Sequence, residues 1–140
     1  MVAVFFEGIS KININKRRFF QMFQKMIVDF NFKIGQINII FCSDDFILKM
    51  NNDFLGHNFH TDIITFNYNE KNVVSGDLFI GFEQVKRNSV LYKVLFDGEI
   101  ARVLIHGILH LLGFNDKDRD EKRIMRMMEN KYLEEFGFFL

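Results

Sequence analysis

The 140-residue chain is 49% apolar and 26% charged, with eighteen basic and eighteen acidic residues. This balance suits one globular domain over residues 1–140, and zero net charge excludes a protein that coats nucleic acid through bulk electrostatics, since phosphate neutralisation needs an excess of Lys and Arg. Cys42 is the only cysteine, so no intrachain disulfide is available; with no stretch of 18 apolar residues and no leader pattern at the start, a soluble cytoplasmic protein is expected.

Residues 1–6 read as a short strand. From Asn15 to Phe30 the apolar positions Phe19, Phe20, Phe23, Met26, Ile27 and Phe30 recur at helical spacing. Lys16, Arg17 and Arg18 form a basic cluster whose simplest reading is a solvated helix face. Residues 37–42 are a β-branched apolar run of strand length, and the run ends at Cys42, a small core residue. Ser43 can cap a following helix that reaches about Phe54, with Asp44 and Asp45 favoured at its positive end. A polar loop containing His57 and His60 comes next. Residues 62–66 (D-I-I-T-F) and 75–80 (S-G-D-L-F-I) read as core strands, adjacent enough to pair as a hairpin. Helices follow at about residues 82–92, 98–112 and 119–135. The last is expected to bury Ile124, Met127, Met128 and Tyr132 or Leu133. The order β, α, β, α, β, β and three helices predicts an α+β fold: a small mixed four-stranded sheet, parallel where helices connect the strands, covered by about five helices.

The informative segment lies at residues 106–116. His106 and His110 are four apart, so on a helix they share a face and can reach one ion. Gly113 stands where a helix would end in a left-handed residue, and Asp116, three residues later, can swing back to the same ion. Three protein ligands leave a fourth position for water, the layout of a catalytic zinc site. The plainer alternative is two core histidines bonded to backbone carbonyls with Asp116 a loop residue. The pattern H-x-x-x-H-x-x-G-x-x-D is similar to that of the metzincin, zincin-like peptidases, but those place Glu directly after the first His as general base. Here that position is Gly107.

The segment H-G-I-L-H-L-L-G-F-N-D resembles the signature of the YbeY family, usually H-G-x-L-H-L-x-G-Y-D-H. H-T-D-I-I-T-F (residues 60–66) resembles that family's P-T-D-V-L-S-F strand, and S-G-D-L-F-I its L-G-D-I-x-I strand. A helix carrying a K-R pair, Lys86 and Arg87, is a further likeness, and the match runs in order over about residues 35–130. The resemblance implies a mixed α/β fold binding one Zn2+ through His106, His110 and Asp116. It implies a single-strand-specific endoribonuclease acting in 3′-end maturation of small-subunit (16S) rRNA and in ribosome quality control, with rRNA and small-subunit ribosomal proteins as partners.

Two departures stand out. The family's third ligand is usually His; Asp116 is a harder, anionic ligand that makes water at the ion less acidic, though a branch of the family carries Asp here. Leu55 falls where the family has an Arg suited to phosphate. His57, His60, Lys86 and Arg87 are the remaining candidates for substrate contact. Glu99, two helical turns before His106, is a candidate catalytic residue that orients a ligand from behind, or else a helix N-terminal acid favoured by the dipole. Asp77 is a candidate near the site. The alternatives to an endoribonuclease are a non-catalytic ribosome assembly factor with a structural metal, and a metal-dependent hydrolase of another substrate class, against which the absence of Glu at 107 counts.

Overall fold

The computed structural model describes residues 1–56 and 61–138; His57 and His60 lie outside the described residues. Among the described residues four strands and five helices follow in the order β1 (Val2–Glu7), α1 (Lys16–Asp29), β2 (Lys33–Cys42), α2 (Asp44–Leu55), β3 (Ile63–Asn67), β4 (Val73–Gly81), α3 (Phe82–Leu91), α4 (Phe96–Leu111) and α5 (Arg119–Glu135). The strands form one sheet in the order β1-β2-β4-β3. β1, β2 and β4 run parallel because helices return the chain between them, and β3 runs antiparallel to β4 as a hairpin partner. This is the expected α+β fold. β2 and β4 begin earlier than their apolar runs, since the pairing of Lys33 and Ile34 with Val73 and Val74 resumes at Ile37 only after a register shift.

Side chains alternate between the two faces of the sheet. Ile37, Ile39, Phe41, Leu78 and Ile80 pack into the main core with α1 and α4, while Ile40, Cys42 and Ile64 form a smaller cluster beneath Ile47 of α2. Ser43 caps α2 as expected, its hydroxyl accepting from the Phe46 N–H at 3.2 Å.

α4 is the central element. Ile100, Ala101, Val103, Leu104, Ile105, Ile108 and Leu109 are all buried, so the helix is apolar nearly all round, as a core helix must be. At Gly107 it presses on the sheet: a Cβ there would lie 2.7 Å from Ile63 Cδ1 and 2.9 Å from Leu78 Cδ2. The far end of α4 is clamped by the β3–β4 connection, where the Asn69 side-chain amide donates to the Leu111 carbonyl at 2.7 Å.

One expected face is corrected. Met125, Glu129, Tyr132 and Leu133 are the buried residues of α5, while Ile124 and Met127 are exposed and Met128 is only partly buried. The helix is rotated about its axis because Glu129, a charged residue, is turned inward to serve groups on α4.

Candidate metal centre

α4 carries the two imidazoles one turn apart, and its exit delivers the carboxylate. The Gly113 N–H donates to the His110 carbonyl at 3.0 Å and the Phe114 N–H to the Leu109 carbonyl at 3.0 Å, a Schellman ending with Gly113 at φ +101°. The reversal sends the chain back along the helix. α5 then starts with a capping box: Asp118 accepts from the Glu121 N–H at 2.8 Å, and the Glu121 carboxylate accepts from the Asp118 N–H at 3.1 Å. Asp116 sits between these two helix-end motifs. Its Oδ2 lies 3.2 Å from His106 Nε2 and 3.4 Å from His110 Nε2, and the two Nε2 atoms are 3.0 Å apart. Side chains that spacing alone left free to diverge are thus brought together.

The other ring nitrogens decide the tautomers. His110 Nδ1 is 2.9 Å from the Phe114 carbonyl, which only accepts, so Nδ1 carries the proton. His106 Nδ1 donates to the Glu129 carboxylate at 2.7 Å. When neutral, both rings therefore aim lone pairs from Nε2 at the same point. Two lone pairs and a carboxylate oxygen at such distances repel unless a cation lies among them. Donor separations of 3.0, 3.4 and 3.2 Å match the roughly 3.3 Å edge of a tetrahedron built on zinc–ligand bonds of about 2.0–2.1 Å. The donor set fits a divalent ion.

Glu129 is the residue that sequence reasoning missed. It is buried, receives the His106 hydrogen bond and accepts from Arg102 at 2.9 Å. Burial of the His106 ring favours its neutral form, but the Glu129 hydrogen bond and charge, with Asp116 and Asp62, outweigh it and raise the imidazole pKa. Glu99 does not reach the histidines. It is buried in the first turn of α4, 3.9 Å from Arg102, on a separate cavity with Arg126 and Asn130, so the backing role expected of it is taken by Glu129.

The donors open onto a cleft of about 300 Å³, walled by Leu55, residues 61–65 and the three ligand candidates. Leu55 does occupy this wall, and no Lys or Arg is among the described residues lining it. Lys86 and Arg87 lie on α3 instead. Arg87 forms a two-pronged ion pair with Asp44 at 2.8 and 3.0 Å and a hydrogen bond to Gln84, a surface link from α3 to α2. Asp77 alternates with the core-facing Leu78, so it sits on the sheet face away from α4, where it accepts from the Asn38 amide at 2.9 Å.

The fold and donor set define a class: a mixed α/β protein presenting two histidines and one carboxylate that can hold a metal ion. The family model described as Endoribonuclease YbeY matches residues 7–137, and the chain belongs to this family. The Endoribonuclease YbeY of Bacteroides fragilis is 46% identical over 127 residues, 91% of each chain. That of Azobacteroides pseudotrichonymphae is 46% identical over 87% of this chain and 88% of its own. A Thermotoga maritima protein solved in solution is 26% identical and superposes with a TM-score of 0.64, covering 97% of this chain and 89% of that one. No helix among the described residues is long and apolar enough to cross a membrane.

Proposed function

We propose that this chain is a zinc-dependent endoribonuclease that hydrolyses single-stranded RNA, with His106, His110 and Asp116 holding one ion. The observation that carries the reading is the convergence of three donor atoms whose outer hydrogen bonds, to Phe114 and Glu129, leave both Nε2 lone pairs facing one point. Relatives named Endoribonuclease YbeY at 46% identity support RNA as the substrate.

A zinc ion in this position supplies Lewis acidity toward a phosphoryl oxygen and acidifies water at neutral pH. The protein does the rest. Glu129, anchored by Arg102, fixes the His106 tautomer and orientation, and the Phe114 carbonyl does the same for His110. Gly107 lets α4 sit flush on β3 and β4, which places the wall at residues 61–65 beside the donors. Without the ion the cleft presents Asp62 and Asp116 and would repel a phosphate chain. RNA affinity is therefore expected to depend on the metal as well as turnover. The same family likeness supports a task in the cytoplasm, maturing the 3′ end of small-subunit rRNA and policing ribosomes alongside small-subunit proteins.

The test is cleavage of matched single-stranded and duplex RNA by zinc-loaded wild type and His110→Ala. Cleavage of the single strand by wild type and its loss in the variant are expected. Equal cleavage by both would overturn the assignment. Chelation that unfolds the protein would favour a structural ion, and chelation that removes only activity a catalytic one.

A further inference from the structure

Zinc hydrolases with this histidine spacing keep a Glu immediately after the first His as the proton acceptor. In this chain that place is Gly107, where a side chain would crowd the tips of Ile63 and Leu78. A Cβ at Gly107 would point into Ile63 and Leu78, toward the sheet, and Thr65 Cγ2 would stand 3.4 Å away. β3 has taken the space. The residue immediately before β3 is Asp62, and it lines the same cleft as His106, His110 and Asp116.

Asp62 is rigidly presented. Its carbonyl accepts from the Gly81 N–H at 2.9 Å, tying it to the end of β4, and the neighbouring Thr61 hydroxyl donates to the Ile63 carbonyl at 3.3 Å. It stands outside the set of donor atoms that converge within 4.8 Å, yet near enough for its charge to act on His106. Of the other nearby carboxylates, Asp116 belongs to the donor set, Glu129 is held by His106 and Arg102, and Glu99 lines a cavity apart from the cleft. Asp62 is half-buried, and burial raises its carboxyl above the usual range, toward a better proton acceptor.

We propose that Asp62 is the general base of the hydrolysis, supplied by the strand in place of the helix glutamate. The assignment rests on the endoribonuclease reading above. As the water oxygen bonds to phosphorus, one of its O–H protons passes to the Asp62 carboxylate. The bond from phosphorus to the departing ribose oxygen breaks, and the proton moves from Asp62 to that oxygen. One water is consumed, the carboxylate is regenerated, and the products are one terminal phosphate and one hydroxyl.

The test uses Asp62→Asn in the full chain. The amide keeps an oxygen to accept from the backbone but cannot take the proton. Steady-state cleavage of a short single-stranded RNA gives kcat and KM. Zinc content by elemental analysis and binding of a phosphorothioate-linked RNA by fluorescence anisotropy report the site without turnover. The expected result is a kcat at least about 100-fold lower, with KM, zinc content and RNA affinity within about threefold of wild type. A kcat within about threefold of wild type overturns the assignment, and so does loss of zinc, which would make Asp62 a ligand. A wild type that fails to cleave RNA would instead overturn the endoribonuclease reading itself. Should the amide variant not fold, Asp62→Ser, which retains a short acceptor, is held to the same criteria.

Discussion

Glu99 offers the sharpest stability experiment. Its side chain is 3% exposed, its nearest basic group is Arg102 Nε at 3.9 Å, and its Oε1 has no hydrogen-bond partner among the described residues. Burial pushes the carboxyl from its ordinary 4.5 up to about 7, Arg102 offsetting only part of that and Asp62 and Glu129 adding to it. The native state thus holds this proton more tightly than the unfolded chain does. As pH rises from about 4.5 to about 7 the unfolded state ionises first, and stability falls. At about 1.4 kcal/mol per pK unit, the penalty above pH 7 is about 3 kcal/mol. Glu99→Gln removes the ionisation, so the variant should match wild type at the acid end and gain up to about 3 kcal/mol at pH 8, most of the change appearing between pH 5 and 7. Urea unfolding across pH 5–8.5, with the metal state held constant, measures it. A stability difference that stays flat over this range, or a variant that weakens as pH rises, would refute a desolvated, poorly compensated Glu99.

Glu129→Gln should weaken zinc affinity about 10- to 100-fold by loosening the His106 orientation, read by competition with a chromophoric chelator, while Glu129→Ala should also lower the urea midpoint, since it removes the buried partner of His106 and one of the partners of Arg102, which keeps Asn130. Gly107→Ala should destabilise the protein by about 1–3 kcal/mol through overpacking against Ile63 and Leu78, visible as a lower urea midpoint. Arg87→Ala breaks an exposed pair with Asp44, so it should cost under about 1 kcal/mol and leave RNA cleavage unchanged; a large fall in cleavage would return Arg87 to the substrate path.

How far the site was legible depends on where its parts lie in the chain. His106, His110, Gly113 and Asp116 fall within eleven residues, where helical periodicity and the conformation of glycine constrain geometry directly. The sheet was readable for the same local reason: β-branched runs and helical connections dictate pairing direction. Glu129 was hidden because it sits on an amphipathic helix where Ile124, Met127 and Met128 advertise a different inward face. Hydrophobic spacing has no means of showing that a carboxylate is inside because a histidine from another helix needs it. Asp62 looked like the first residue of a core strand, since its place in the cleft follows only from how closely Gly107 lets α4 approach β3. Glu99 is the converse case: of its two readings, a ligand-orienting residue or a helix N-terminal acid, its place in the first turn of α4 and on a cavity apart from the donors fits the second.

The Schellman ending at Gly113 and the capping box at Asp118 fix both helix ends, so the few residues between them behave as a ruler of set length. One residue added or removed there would displace the chain by about 3.3 Å, more than the whole length of a zinc–oxygen bond. This turn, unlike ordinary surface loops, should therefore reject insertions and deletions during evolution even where its side chains, Asn115 and Lys117 among them, are free to vary.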